Sequence, residues 1–417
     1  MAPLSERTRK AVAAHRADMA ALTKELVRIP TQNPPAENYP ACAELLARRM
    51  RALGLRAKAE KIPLPKSARA RGATGTKPEP RYVVRATIGT GKPTLYFHGH
   101  YDVVPASRPG QFDARQRNGN IFGRGSADMK GGLVAMLYGA RVLKELQIPL
   151  AGRIELVFVP DEETGGQLGT AALFGSGALA PGAIGMLTAE PTGGAICNAS
   201  RGAITMRVTT KGKTAHVGLS FRGVNAFEKM LIVARALEKE KRRISARKTS
   251  FHIAPDAARR SILLLGGRSE GGTNFNAVPA ECSFTVDRRI NPEEDLGTEK
   301  NRLLAILDRL RRSGVELEAE IFQEGNSVAI EETQPLSRAL AQSIEEITRC
   351  APRFEMCPGL LETRFYAERG IPALGFGPGL LTVSHGPSEY VSLREMENCA
   401  ATYALTAVKL LAKESHS

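Results

Sequence analysis

The 417-residue sequence has no tryptophan, only 5% aromatic residues, six cysteines, and no apolar stretch near the length needed to cross a bilayer. The cysteines (Cys42, Cys197, Cys282, Cys350, Cys357 and Cys399) lie far apart. None has the short paired spacing of a zinc finger or a redox motif, so their expected role is that of small buried hydrophobes. The first residues, MAPLSERTRK, lack the apolar run of a signal peptide. A cytoplasmic location without a membrane partner is therefore expected, where scattered thiols stay reduced. Acidic residues are outnumbered, with 43 Asp and Glu against 58 Lys and Arg, a formal net charge of +15. A basic surface attracts phosphate without any sequence code. Aromatics are too few here, however, and no zinc-finger, RNP or basic-zipper pattern occurs; the densest basic run, 239–248, continues a helical pattern as a solvated face. No nucleic-acid partner is expected, and positive charge serves to draw small anions. Repeats of fixed period are also missing.

What is present is ample apolar content, 42%, in a chain too long for one compact core, so two domains are expected. Apolar spacing predicts helices over 8–27 and 39–53, the second stopped by Gly54. Residues 63–80, rich in Pro, Gly, Lys and Arg, read as an exposed loop. Strands at 81–88, 93–98, 153–159 and 183–189 then alternate with helices at 130–146 and 170–179. This alternation predicts an α/β fold with a mixed, mainly parallel sheet flanked by helices. From Arg201 the pattern changes: strand 202–210, helix 225–240, strands near Ile262 and at 282–287, helix 296–312 and strand 315–322. That stretch reads as a smaller α+β unit at 200–324, inserted between two parts of the first domain, 1–199 and 325–417.

Four clusters carry reactive side chains. In His98-Gly99-His100-Tyr101-Asp102-Val103-Val104-Pro105, the i, i+2 spacing puts His100 and Asp102 on one side of extended backbone. A carboxylate there can fix the tautomer of a metal-binding imidazole, although a plain hydrogen-bonded pair closing a strand end is the favoured reading of these residues alone. Gly123-Arg124-Gly125-Ser126-Ala127-Asp128-Met129-Lys130-Gly131-Gly132 displays Asp128 in a glycine-rich loop before a helix, with a spacing that fits no phosphate loop. Asp161-Glu162-Glu163-Thr164-Gly165-Gly166 crowds three carboxylates after a strand, a costly arrangement unless cations neutralise it; an acidic solvent loop is the bland alternative. Glu190 again follows an apolar strand. Three of the four thus fall at the carboxyl ends of predicted parallel strands, where open α/β sheets hold ligands. Ser384-His385-Gly386-Pro387-Ser388-Glu389-Tyr390 adds a histidine in a Gly/Pro loop. A set of imidazoles and carboxylates without thiolate suits zinc, with manganese or cobalt as substitutes.

Taken in order, these segments resemble the M20 family of zinc peptidases and deacylases, which includes acetylornithine deacetylase, succinyl-diaminopimelate desuccinylase, aminoacylase and glutamate carboxypeptidases. The likeness covers nearly the whole chain. It implies two zinc ions per subunit, one held by His100, Asp128 and Glu190 and the other by Asp128, Glu163 and His385. It further implies Glu162 as general base, Asp102 as the group orienting His100, and a lid and dimerisation unit carrying His216, which in relatives reaches a neighbouring subunit's active site. A homodimer is expected by the same analogy. Asn276, Arg289 and Arg364 match positions that bind or support a substrate carboxylate in some relatives, though an arginine in a strand can equally make a structural ion pair. By the same resemblance Glu190 leans toward the deacylase branches, which tend to carry glutamate at this position where several exopeptidase branches carry aspartate. Leu360-Leu361-Glu362-Thr363 departs from the family's Gly-Thr-(Ser)-Asp segment and leaves the substrate open. The expected activity is hydrolysis of an amide in a small carboxylate-bearing N-acyl amino acid. The alternatives are a carboxypeptidase or dipeptidase and, remotely, a non-catalytic metal-binding or nucleic-acid-associated protein.

Overall fold

The computed structural model describes residues 2–63, 80–179 and 182–412, so most of the loop expected at 63–80 lies outside the described residues. Two compact units divide the chain. The first comprises Met1–Asn198, Ile330–Glu355 and Glu362–Ser417, the second Ala199–Ala329 and Met356–Leu361. No sequence pattern marks 356–361 as part of the second unit.

The sheet of the first unit runs in the order Arg56–Lys61, Tyr82–Gly89, Arg153–Val159, Thr94–His100, Gly185–Thr188, Ala373–Gly375, Ile196–Ser200. Its centre is parallel, from Arg153–Val159 across to Ala373–Gly375. Antiparallel pairs flank it on both sides. Strand residues alternate between two buried clusters. Leu95, Phe97, Leu156 and Phe158 pack with the helices Leu4–Ala14, Arg16–Val27, Tyr39–Ala52, Gly131–Glu145, Pro335–Thr348 and Leu393–Leu411. Tyr96, Val157, Val159 and Met186 pack on the opposite face with Thr170–Gly175 and Thr363–Ala367. Burial on both faces explains why these strands read as near-continuous apolar runs.

The helix expected over 8–27 is broken at His15, where φ is −97° and ψ is 8°; His15 Nε2 lies 2.8 Å from Glu145 Oε2. No glycine or proline announces the break. The helix Gly131–Glu145 is buried almost throughout. Its start sits against a strand end: a Cβ at Gly132 would come 2.4 Å from the carbonyl oxygen of Ala189, one residue before Glu190.

The second unit is a four-stranded antiparallel sheet ordered Ile262–Gly271, Glu281–Ile290, Gly202–Lys211, Leu317–Gly325. Ile204, Met206, Val208, Phe284 and Val286 form its core with Val233, Leu237, Leu303 and Leu307 of the helices Ala226–Ser245 and Leu296–Arg312. Asn225 caps the first of these, accepting from the N–H of Phe227 and Glu228, and Asp295 caps the second, accepting from Thr298. Lys239, Lys241, Arg242 and Arg243 project from the exposed side of Ala226–Ser245, so this part of the basic run lies on a solvated helix face, whereas Arg247 and Lys248 follow the helix and pair with Glu294, Glu299 and Asp256.

Candidate active site

The parallel register aligns the strand ends of the first unit. His98 lies opposite both Val157 and Thr188, and His100 opposite Val159, so His100, the 161–166 loop and Glu190 emerge at one edge. The C-terminal part of the chain arrives by another route. Tyr390–Ser392 pairs antiparallel with Asn120–Phe122, which in turn pairs with Arg115–Arg117, and this ladder brings the 384–389 loop alongside Asp128.

Two groups of ligand-type atoms result, each lying within 4.8 Å of one another: His100, Asp128, Glu190, and Asp128, Glu163, His385. The carboxylate of Asp128 faces both. Its Oδ1 is 3.2 Å from His100 Nε2, and its Oδ2 is 3.3 Å from His385 Nε2. Glu163 Oε2 is 3.3 Å from His385 Nε2, and Glu190 Oε1 is 3.8 Å from His100 Nε2. Among the described residues, the ion-pair partners of Asp128 and Glu163 are these histidines, with no lysine or arginine. Buried carboxylates without a resident cation are costly, and two imidazoles with three carboxylates, one shared, fit a pair of divalent ions.

Titration follows from this crowding. Burial pulls His100 down, but hydrogen bonds to Asp102 and Asp128, with the charges of Glu190 and Glu162, outweigh it and hold the imidazole well above its ordinary range. Hydrogen bonds to Asp128 and Glu163 push His385 up to about 10. The two histidines keep Asp128 well below the usual carboxylate range despite its burial. Desolvation raises Glu162 well above that range, and Glu190, Glu163 and Glu362 add to it against the pull of His100.

Asp102 performs more than one task. His100 Nδ1 donates to the backbone carbonyl of Asp102 at 3.0 Å, with the carboxylate Oδ1 at 3.5 Å, which leaves Nε2 facing the ligand cluster. The Asp102 carboxylate accepts the backbone N–H of Glu162 at 3.2 Å and of Glu163 at 3.1 Å. It also accepts from Asn33 Nδ2 at 2.9 Å. Asp102 thus ties the imidazole to the acidic loop, and Asn33, which no motif marks, holds Asp102.

A buried ion pair supports Asp128 and His385. Arg124 Nη1 donates to Glu389 Oε2 at 2.7 Å, and Nη2 to the His385 carbonyl at 3.0 Å. Glu389 Oε1 accepts from the N–H of Ala127 at 3.0 Å and of Asp128 at 3.1 Å. Breaking a buried pair of this kind costs about 3–5 kcal/mol, so both residues belong to the scaffold of the site. Lys130, likewise buried, donates Nζ to the carbonyls of Leu26 and Ile29 at 2.9 and 2.8 Å. All three lie inside the recognised motifs, although nothing in their spacing assigns these tasks.

Arg364, in the first unit, is buried and donates Nη2 to the carbonyl of Gly165 at 2.6 Å. His216, Asn276 and Arg289 belong to the second unit. The ring of His216 is exposed, and its Nδ1 accepts the N–H of Gly218 at 3.1 Å. Asn276 accepts the N–H of Val217 at its backbone carbonyl. Arg289 holds Asp287 in a two-point pair at 2.7 and 3.0 Å.

Imidazoles and carboxylates gathered at the carboxyl ends of parallel strands place the chain among metal-dependent hydrolases. A profile described as Peptidase family M20/M25/M40 matches residues 96–409, and the chain belongs to this family, whose members act on amide bonds. It is 28% identical to a probable succinyl-diaminopimelate desuccinylase of Staphylococcus epidermidis over 340 residues, 73% of this chain and 80% of that protein. It is 29% identical to aminoacylase-1 of Sus scrofa over 381 residues, 86% of each. The fold is similar to that of a di-peptidase from Saccharomyces cerevisiae, with a TM-score of 0.78 at 16% identity over 97% of this chain and 98% of that one.

Proposed function

We propose that this chain is a dinuclear, zinc-dependent amidohydrolase that removes the acyl group from a small carboxylate-bearing N-acyl amino acid, as a cytoplasmic homodimer. The observation that carries the reading is Asp128, whose two oxygens face two separate ligand groups beside Glu162. Glu190 and the desuccinylase and aminoacylase relatives support a deacylase. The metal pair, when bound, supplies Lewis-acid polarisation and a more acidic water. Glu162 accepts a proton from the attacking water at its carboxylate and delivers it to the departing nitrogen, a role open to it because that carboxylate is not one of the grouped ligand atoms. Asp102 fixes the loop from which Glu162 acts.

His216 is proposed to donate to the oxyanion. Because its Nδ1 accepts from Gly218, the neutral ring carries its proton on Nε2, free to point outward. Exposed apolar side chains nearby in sequence, with Phe221 79% accessible and Phe275 96%, support burial in a dimer. Of the substrate-carboxylate candidates in this unit, Asn276 is favoured, because Arg289 is already engaged by Asp287. His216→Ala is expected to leave metal content unchanged and lower kcat by about 100-fold, the usual loss for one oxyanion donor. An unaffected kcat would return His216 to a structural role.

A panel of N-acetyl, N-succinyl and N-carbamoyl amino acids with C-terminal glutamate dipeptides, assayed zinc-loaded and chelator-stripped, tests the whole reading. Metal-dependent cleavage of an acyl amino acid is expected. Cleavage of the dipeptides alone would make the chain a carboxypeptidase or dipeptidase, and no cleavage with zinc bound would refute the reading.

A further inference from the structure

The loop that carries Glu162 and Glu163 is unusual in its backbone. Asp161, Gly165 and Gly166 have φ of 79°, 102° and 67°, and Asp161 is not a glycine, so the loop needs external bonds to keep its shape. The loop's own bonds are two, Gly165 N–H to the Glu162 carbonyl and Gly166 N–H to the Asp161 carbonyl, both 2.7 Å, and the external ones are added to these. Asp102 grips the loop on one side. Residues 362–366 meet it as well. The Arg364 guanidinium, 1% exposed, stacks on the Phe365 ring at 4.1 Å and donates to the Gly165 carbonyl at 2.6 Å.

Glu362, 2% exposed, reaches the adjoining residue. A Cβ at Gly166 would come 2.5 Å from its Oε1, so only glycine permits this approach. Glu362 Oε2 is 2.5 Å from His98 Nε2, and His98 Nδ1 is 3.0 Å from the hydroxyl of Tyr366. His98 stands on the strand Thr94–His100 that also bears His100. Residues 362–366 therefore connect that strand to the acidic loop through buried groups.

We infer that Arg364 and Glu362 are positioning residues: they set the geometry of the loop bearing Glu162, and Arg364 is not a ligand for the substrate carboxylate. A buried guanidinium already committed to a carbonyl is poorly placed to bind an incoming anion, whereas a fixed donor on a loop of forced conformation controls where the next side chains lie. The kinetic part of this inference rests on the proposed hydrolase function.

The test compares Arg364→Lys, Arg364→Met and Glu362→Gln with the parent in zinc titrations, steady-state kinetics and amide hydrogen exchange of the zinc-loaded chain. All three variants are expected to bind zinc with the parent's stoichiometry and to keep KM within about twofold. Loss of a supporting contact costs about 10–100-fold in affinity or activity, and kcat is expected to fall within that range for Arg364→Met and less for Arg364→Lys. Exchange should rise in 161–166 and stay unchanged in the helix Leu393–Leu411. A KM raised tenfold or more at unchanged kcat would make Arg364 a substrate ligand and overturn the inference. Unchanged exchange in 161–166 would overturn it too. Where Arg364→Met fails to fold, Arg364→Lys and Glu362→Gln carry the comparison. Absence of metal-dependent hydrolysis in the parent would refute the function, and the exchange measurement would still decide whether these residues hold the loop.

Discussion

Glu162→Ala is expected to keep both metal ions and lose about 10²–10⁴-fold of the turnover, the range by which general acid–base catalysis accelerates a reaction. The two effects separate because of where the side chain sits. Glu162 is adjacent to Glu163 in sequence, yet only Glu163 falls within ligand distance of Asp128 and His385. Its own N–H is held by Asp102, so the loop keeps its anchor when the side chain is cut back. Nothing else in the cluster can take its place: His100, Asp128, Glu163, Glu190 and His385 are all committed as ligands in the proposed site. The isosteric Glu162→Gln should behave alike, since shape is kept and only the proton acceptor is lost. Turnover near the parent's in either variant, measured at saturating substrate, would remove Glu162 from the role of base.

Asp128→Asn is expected to affect metal binding before it affects chemistry. In the parent, the two carboxylate oxygens face His100 and His385. An amide presents one oxygen and one NH₂ group, and the NH₂ is a donor that cannot ligate a cation. One of the two ligand groups therefore loses a member whichever way the amide turns. Even supporting contacts around a metal cost about 10–100-fold in affinity when removed, so losing a direct ligand should weaken one site by at least about 100-fold. Zinc titration should show one tight equivalent where the parent shows two, with hydrolysis falling alongside. Two tight equivalents in this variant would show that Asp128 does not bridge.

The residues that meet in the cluster were legible because each follows a short apolar strand or sits in a Gly/Pro loop. The periodicity of Arg153–Val159 and Gly185–Thr188 located the strand ends, and the acidic residues just beyond them needed no tertiary information. The helix Leu296–Arg312 was equally plain, being bounded by Asp295 and by Ser313-Gly314. Other elements carry weaker signals. Arg56–Lys61 reads RAKAEK, an edge strand whose inward face offers only the small Ala57 and Ala59, and the hairpin Arg115–Arg117 with Asn120–Phe122 is too short for a period to show.

Supporting contacts were hidden for a different reason. Arg124 and Glu389 are 265 residues apart and meet only because Tyr390–Ser392 pairs with Asn120–Phe122. Glu362 and His98 are 264 apart. Burial of a charged residue depends on such long-range pairing, and local spacing contains no trace of it. Arg364 shows the consequence: its side chain suits a carboxylate, but its surroundings commit it to a backbone carbonyl.

The central claim is that Asp128 lies between two metal ions. Anomalous scattering from crystals of the zinc-loaded protein, recorded at the zinc absorption edge, tests it directly. Two peaks are predicted, one among His100, Asp128 and Glu190 and one among Asp128, Glu163 and His385. A single peak, or peaks that leave either group empty, would contradict the account.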